Sequence, residues 1–86
     1  MKKVTNWEDI SFIISSDYRR KVLQELGSPK TPSNLSHALE INKTHISRAL
    51  KELVDKRLVD CLTPNSRKGR LYVISARGKE ILKELP

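Results

Sequence analysis

The sequence predicts a mainly α-helical domain with one small β-hairpin, an α+β fold. Over most of the chain, apolar residues recur at intervals of three and four, which is the period of an amphipathic helix. Between residues 58 and 75 this pattern changes to two short β-branched and aromatic runs around the turn-forming segment "PNSRKG". A chain of 86 residues can bury one compact core, so we expect a single domain over 1–86.

The first predicted helix covers residues 6–14, "NWEDISFII". Asn6 can cap it, and Glu8 and Asp9 in the first turn suit the positive end of the helix dipole. So many apolar residues in so short a helix indicate burial on more than one side. Core packing and a dimer contact both explain this pattern. The residues predicted at a dimer interface are Trp7, Ile10, Phe12 and Ile13.

The second helix is predicted over residues 16–26, beginning at Ser16 or Asp17 and ended by Gly27 in a left-handed conformation. Its buried stripe is predicted to be Tyr18, Val22, Leu23 and Leu26. The third helix covers 32–40, because Thr31 followed by Pro32 is a typical helix start. Its buried residues are predicted to be Leu35, Ala38 and Leu39.

The remaining elements complete a recognisable order. The fourth helix, residues 43–57, is capped by Asn42, and the short gap before it holds Ile41 as a core residue. Strands at 58–63 and 70–75 form an antiparallel hairpin. A last helix, 76–85, is capped by Ser75. A hairpin is not stable alone, so it must pack beside the preceding helices, and the result is a winged helix-turn-helix.

The polar face of the fourth helix is divided by charge along its length. Lys43, Arg48 and Lys51 occupy its first part, with no acid from Ile41 to Leu50, whereas Glu52 and Asp55 follow. The helix dipole alone favours the opposite order. A helix whose N-terminal part enters the DNA major groove explains the early cations. On this reading Glu52 and the residues after it face water.

The predicted hairpin is also basic. Five cations and no acid occur between Cys61 and Lys79, and three of them surround Gly69 at the hairpin tip. Such a tip can contact the DNA backbone or enter a narrow minor groove. The formal net charge of +7 suits the same anionic partner.

Over residues 16–82 the sequence resembles the winged helix-turn-helix transcription regulators of the MarR and ArsR type, especially the compact archaeal versions. The similar pieces are "HISRALKEL", "RLV" and, after the wing, "KGRLYVISARGKEIL". The resemblance implies a transcription factor that binds double-stranded DNA, commonly as a homodimer on a pseudo-palindromic site. Carried over by position, the base-reading residues are Thr44, His45, Ser47 and Arg48. Phosphate contacts fall on Thr31, Ser33, Lys43 and Lys51, and wing contacts on Arg67, Lys68 and Arg70.

Other function classes have less support. Two histidines, one cysteine and scattered carboxylates form no catalytic constellation, so we expect no enzyme and no cofactor. Cys61, predicted to face the core, with His37 and His45 does not match the clustered ligands of metal-sensing relatives. A winged helix used for protein contact is the main alternative, although it would expose apolar residues on the recognition face. A single cysteine and the lack of a signal peptide indicate a cytoplasmic location without membrane contact. The sequence does not identify a small-molecule effector.

Overall fold

The computed structural model describes residues 7–85. Within this range the chain forms five helices and a two-stranded antiparallel sheet. The elements in chain order are α1 (Trp7–Ile14), α2 (Asp17–Glu25), α3 (Pro32–Leu39), α4 (Lys43–Asp55), β1 (Val59–Cys61), β2 (Tyr72–Ile74) and α5 (Ala76–Glu84). This order is the predicted winged helix-turn-helix: α3 and α4 are the helix-turn-helix pair, and the β1–β2 hairpin is the wing.

The core lies where α2, α3 and α4 meet. Val22, Leu23 and Leu26 of the α2 segment are fully buried, as are Leu35 of α3 and Ile46 of α4. The predicted interior residue of the turn, Ile41, is 8 % exposed. Burial of these apolar side chains supplies the main favourable free energy of folding. It also fixes α4 against the rest of the domain.

Local capping explains where most helices begin. The side chain of Ser16 accepts from the backbone N–H of Arg19 at the start of α2, and that of Ser75 accepts from the N–H of Gly78 at the start of α5. Both caps were predicted. The cap predicted at Asn6 lies outside the described residues. The end of α2 differs from the prediction, because the helix closes at Leu26 with φ −88° and Gly27 does not adopt positive φ.

The wing is shorter in strand and longer in loop than predicted. β1 pairs with β2 through Val59 opposite Ile74, Asp60 opposite Val73 and Cys61 opposite Tyr72. The connecting loop therefore runs from 62 to 71. β2 is also held along its other edge, because Lys30 and Tyr72 exchange backbone hydrogen bonds of 2.9 Å. This bridge anchors the base of the wing to the segment that precedes α3.

Gly78 lets α5 pack closely against the base of the wing. A Cβ atom at this position would lie 2.2 Å from the carbonyl oxygen of Leu58 and 2.7 Å from the Ile74 side chain. The side chain of Ser75 donates to the carbonyl of Arg57 over 2.8 Å at the same junction. α5 also meets α1, where Arg77 donates to the buried carboxylate of Asp9. Arg77 therefore pairs with an acid of α1, unlike the cations at the tip of the wing.

Several predictions of burial were wrong. Tyr18 and Ala38 are exposed on α2 and α3, because each lies at the edge of its helix's apolar stripe. On α1 the four residues predicted at a dimer interface differ in burial. Ile10 and Ile13, predicted at a dimer interface, are buried in the chain's own core, whereas Trp7 is 71 % exposed. Phe12 is half-buried, with the guanidinium of Arg19 4.0 Å from its ring centre.

Candidate DNA interface

The helix-turn-helix corner is built from short-range hydrogen bonds. At the start of α3, the Thr31 hydroxyl accepts from the Asn34 N–H at 3.1 Å while the Asn34 side chain accepts from the Thr31 N–H at 3.3 Å. This reciprocal capping box, with Pro32 in the first turn, fixes the helix start. The turn follows with Glu40 in the left-handed region at φ 55°, and Ser36 donates to the Ile41 carbonyl at 2.7 Å.

The fourth helix begins at the predicted cap. The Asn42 side chain accepts from the Thr44 N–H at 2.9 Å. Ile46, Ala49, Leu50 and Leu53 are buried on its inner side. The outer side exposes the residues predicted to contact DNA on this helix, which are Lys43, Thr44, His45, Ser47, Arg48 and Lys51. The helix therefore presents its cationic first turns to solvent on a rigidly held element.

One cleft brings together three groups of predicted phosphate contacts, and we call it the wing cleft. It lies between the start of α3, the first turns of α4 and the tip of the wing. Its lining residues are Thr31, Pro32, Ser33, Lys43, Ser47, Arg67, Lys68 and Gly69. Among these described residues there are three cations, three hydroxyl groups and no carboxylate. Such a lining suits a phosphodiester backbone, which needs hydrogen-bond donors and positive charge.

The wing tip has its own internal hydrogen bonds. Gly69 adopts φ 63°, a conformation in which glycine has no steric penalty. Beside it, the Ser66 side chain donates to the carbonyl of Lys68, and Arg70 Nε donates to the carbonyl of Ser66 at 2.6 Å. At the neck of the loop the Leu71 N–H donates to Thr63 Oγ1 at 3.0 Å. Arg67 and Lys68 are therefore held exposed at the tip, while Arg70 partly serves the loop itself.

A second groove runs between α4 and the strands of the wing. Lys51 and Arg70 line it together with Asp55, Cys61 and Tyr72. Cys61 was predicted to face the core, but its side chain is only partly buried, because the short sheet leaves this side of β1 open. Predicted DNA contacts thus lie along the whole wing side of α4.

The opposite flank of α4 meets α2, and the pairing found here was not predicted from the sequence. Arg19 Nε donates to Glu52 Oε1 at 2.9 Å, and its Nη1 donates to the carbonyl of Phe12 at 2.9 Å. The prediction that Glu52 faces water was wrong. The hydrogen bond from Arg19 holds the pKa of the Glu52 carboxyl below its usual range, against the opposing effect of partial burial. Arg19 thus joins α1, α2 and α4.

His45 also lies on this α2 flank. Its ring stacks on that of Tyr18, with centroids 4.8 Å apart and planes tilted by 31°. The cleft around them is lined by Ser16, Tyr18, Arg19, His45, Arg48, Ala49 and Glu52. Tyr18 was missed because its spacing placed it in the apolar stripe of α2. A signal was present, since a tyrosine at the edge of such a stripe can turn its polar end outward.

Two kinds of feature are absent from the part of the chain that the structure describes. Over residues 7–85, no group of three or more His, Cys, Asp or Glu side chains is arranged to hold a metal ion. In the same range, no helix has the length and apolar character required to cross a bilayer.

Comparison with known proteins identifies relatives among transcription regulators. No protein-family model matches the chain. A curated relative, the uncharacterized HTH-type transcriptional regulator YdgG of Bacillus subtilis, is 37 % identical over 68 residues. The match covers 76 % of this chain and 44 % of YdgG. The chain therefore spans less than half the length of that relative.

Solved structures show the same fold. A MarR family transcription regulator aligns with TM-score 0.70 and 27 % identity, over 79 % of this chain and 47 % of that protein. A variant of MarR from E. coli, solved in complex with operator DNA, aligns with TM-score 0.71 and 26 % identity, over 87 % and 59 % of the two chains. TubR from Bacillus thuringiensis, solved with 24 base pairs of tubC, aligns at TM-score 0.76 but 13 % identity, over 96 % and 94 %. At that identity the likeness concerns the fold alone.

Proposed function

From the premise that this chain has the winged helix-turn-helix fold of the MarR-type transcription regulators, we propose that it binds duplex DNA, with a preference for sequence, and regulates transcription. The observation that carries this proposal is the wing cleft. It combines a capped helix start, the first turns of α4 and the wing tip in a lining rich in cations and hydroxyls. These groups come from separate parts of the chain, so their convergence on one face is a property of the fold.

The proposed docking places the first turns of α4 in the major groove. Thr44, Ser47 and Arg48 are exposed on α4 and would reach base edges, with Arg48 able to make a bidentate contact to guanine. Phosphates on the wing side would be contacted by Lys43, Lys51, Thr31 and Ser33. The wing tip would follow the adjacent backbone or minor groove. Phosphate contacts fix the position of the helix and base contacts supply the sequence preference.

The same proposal includes a homodimer that binds a pseudo-palindromic site. Its support is the exposed part of α1, where Trp7 and Ile14 are 71 % and 48 % exposed. These side chains replace Ile10 and Ile13 as the interface candidates, because the latter are buried within one chain. A transcription regulator works where the DNA is, so we also propose a cytoplasmic location.

Two comparisons test the proposal. Selection from a random duplex pool should enrich a sequence with two related half-sites. On the selected duplex, Arg67→Ala combined with Lys68→Ala should weaken binding and reduce the slope of log affinity against log salt by roughly two units, since each phosphate contact contributes about 0.9 to that slope. The matched control is Lys79→Ala with Lys83→Ala, which removes the same charge from exposed positions on α5.

The outcomes are distinct. The α5 control should leave the salt slope unchanged if the wing itself contacts phosphates. Equal reductions in affinity in both double variants would indicate a general charge effect and contradict the docking. An unenriched pool would contradict the proposed sequence preference. The alternative, a protein-contact module, has less support because the exposed face of α4 is polar.

A further inference from the structure

We propose that His45, positioned by Tyr18, forms a second DNA-backbone contact on the α2 flank of the recognition helix, made when the His45 imidazole is protonated. This inference rests on the proposed DNA binding and extends it to the strand opposite the wing. It also reassigns His45, which was expected to read bases.

The pair occupies the flank of α4 that faces away from the wing. His45 lies in the first turn of α4, in the same cleft as Arg48 and the start of α2, whereas Lys43 and Ser47 line the wing cleft. The two clefts thus lie on opposite flanks of one helix. A helix seated in a major groove has a phosphate backbone on each side, so a contact on this flank would complement the wing's contact on the other.

The His45 imidazole is oriented toward this flank by Tyr18. The two rings stack with a centroid distance of 4.8 Å, which directs the imidazole sideways toward α2 and away from the centre of the exposed face. Both residues are nonetheless exposed, Tyr18 by 40 %. The imidazole is therefore prepositioned at the edge of the helix, where it could meet a phosphate more easily than a base.

A phosphate contact made by an imidazole depends on pH, because only the protonated ring is positively charged. The titratable and charged groups that face His45 are Tyr18 and Arg19 on α2 and Arg48 and Glu52 on α4. Glu52 is already bound to Arg19 at 2.9 Å, so it is committed elsewhere. A DNA phosphate would supply a counter-ion for the imidazolium, and imidazole is the side chain that gains a proton as the pH falls from about 8 to 5.

Binding should therefore take up a proton, and affinity should rise as the pH falls. We expect roughly tenfold tighter binding at about pH 5.8 than at about pH 7.8, equivalent to about 1.4 kcal/mol, with a salt slope steeper by about one unit at the lower pH. The increase in affinity at the lower pH should be the same on a selected site and on a scrambled duplex, because a phosphate contact does not depend on sequence.

The two histidines of the chain provide a matched pair of variants. His45→Gln should bind with equal affinity at both pH values, whereas His37→Gln, altered at an exposed position on α3, should keep the full pH ratio. Tyr18→Ala should reduce the ratio, while Tyr18→Phe, which keeps the ring stack, should preserve it. Tyr18 acts here as a positioning residue, and the pH ratio is a readout that a merely structural role would not change.

The measurement is the dissociation constant of each variant for both duplexes, by fluorescence anisotropy at the two pH values and several salt concentrations. A pH ratio retained in His45→Gln, or abolished in His37→Gln, would overturn the inference. An increase confined to the selected site would assign His45 to a base and overturn the backbone contact. Failure of the unmodified chain to bind either duplex would overturn the proposed function itself. Equal binding at both pH values would overturn only this inference.

Discussion

At the scale of single residues, Arg48 is the residue on which the proposed reading of DNA sequence most depends. It is exposed in the second turn of α4, whereas Ala49 and Leu53 of the same helix are buried. The acid one turn later, Glu52, is bound to Arg19. Arg48 attracts that carboxylate electrostatically but is not its hydrogen-bond partner, and its guanidinium can make two parallel hydrogen bonds to a guanine.

Arg48→Ala should weaken binding to the selected site by roughly 1–3 kcal/mol and relax preference at one base-pair position. Binding to scrambled duplex should change much less. Lys83→Ala, which removes an exposed cation from α5, is the control. Competition between selected and scrambled duplexes measures the effect. An equal reduction on both duplexes would assign Arg48 to the backbone.

The ion pair between Arg19 and Glu52 makes stability depend on pH. The Arg19 hydrogen bond lowers the pKa of Glu52 in the folded chain, so the folded state favours the ionised carboxyl. The contribution is therefore present above the unfolded value, about pH 4.3 for a glutamate, and is lost as the pH falls through the lower folded value. The side chains are 22 % and 35 % exposed, so screening by solvent keeps the effect below about 1 kcal/mol.

Glu52→Gln should therefore lower the free energy of unfolding modestly at neutral pH, and the difference from the unmodified chain should shrink as the pH falls below about 4. Urea unfolding across this pH range measures it. Asp55→Asn, which removes an exposed acid from the same helix, should show a smaller difference. A difference that grows with acid would contradict the assignment.

Residue-level prediction from the sequence succeeded where the cause was local. The caps at Ser16, Thr31 and Asn42 depend on atoms two or three residues away, so the pattern contains them. Arg19 and Glu52 are 33 residues apart, and their pairing depends on how α2 crosses α4. That geometry is absent from any short window of sequence.

At the scale of elements, the junction of α5 and the wing depends on one glycine. Gly78→Ala would place a Cβ 2.2 Å from the backbone oxygen of Leu58. Backbone cannot move as a side chain can, so α5 must shift away from the wing. Overpacking of this kind costs about 1–3 kcal/mol.

Gly27→Ala is the matched control, because its Cβ would have no atom within 4 Å and its φ is not positive. It should be neutral or raise stability by about 0.4–1 kcal/mol, through a less flexible unfolded chain. Thermal or urea unfolding of both variants tests the pair. Equal stability of the two would contradict the close packing at Gly78.

The hairpin illustrates what element-level prediction can and cannot reach. The turn-forming segment at 64–69 and the apolar runs beside it indicate a hairpin correctly. Strand length was overestimated, since only three residue pairs form the β1–β2 ladder. The pairing of Tyr72 with Lys30, which anchors the sheet to the segment before α3, was not predicted. Contacts of that kind join segments far apart in the chain, which periodicity does not show.

At the scale of the whole molecule, the order of the elements was predictable because each has its own period and caps. The proposed DNA interface depends on how these elements pack together. The wing cleft unites residues 31–33, Lys43, Ser47 and residues 67–69, and a charge count alone could not place them together. The distribution of apolar surface was less predictable. The sequence indicated that α1 carries apolar residues on more than one side. Only the fold shows that Ile10 and Ile13 are buried whereas Trp7 and Ile14 are exposed.

The exposed tryptophan of α1 makes the oligomeric state measurable. Trp7 is the single tryptophan and is 71 % exposed, so burial of α1 between two chains should shift its fluorescence emission to shorter wavelength as concentration rises. Trp7→Ser should abolish self-association in sedimentation equilibrium, since aromatic anchors contribute most to such interfaces. Leu62→Ser removes a comparably exposed apolar side chain, 50 % exposed, from the wing loop, and should leave association unchanged. A pure monomer at high micromolar concentration would exclude the dimer, and a pseudo-palindromic site would then require two chains to meet on the DNA itself.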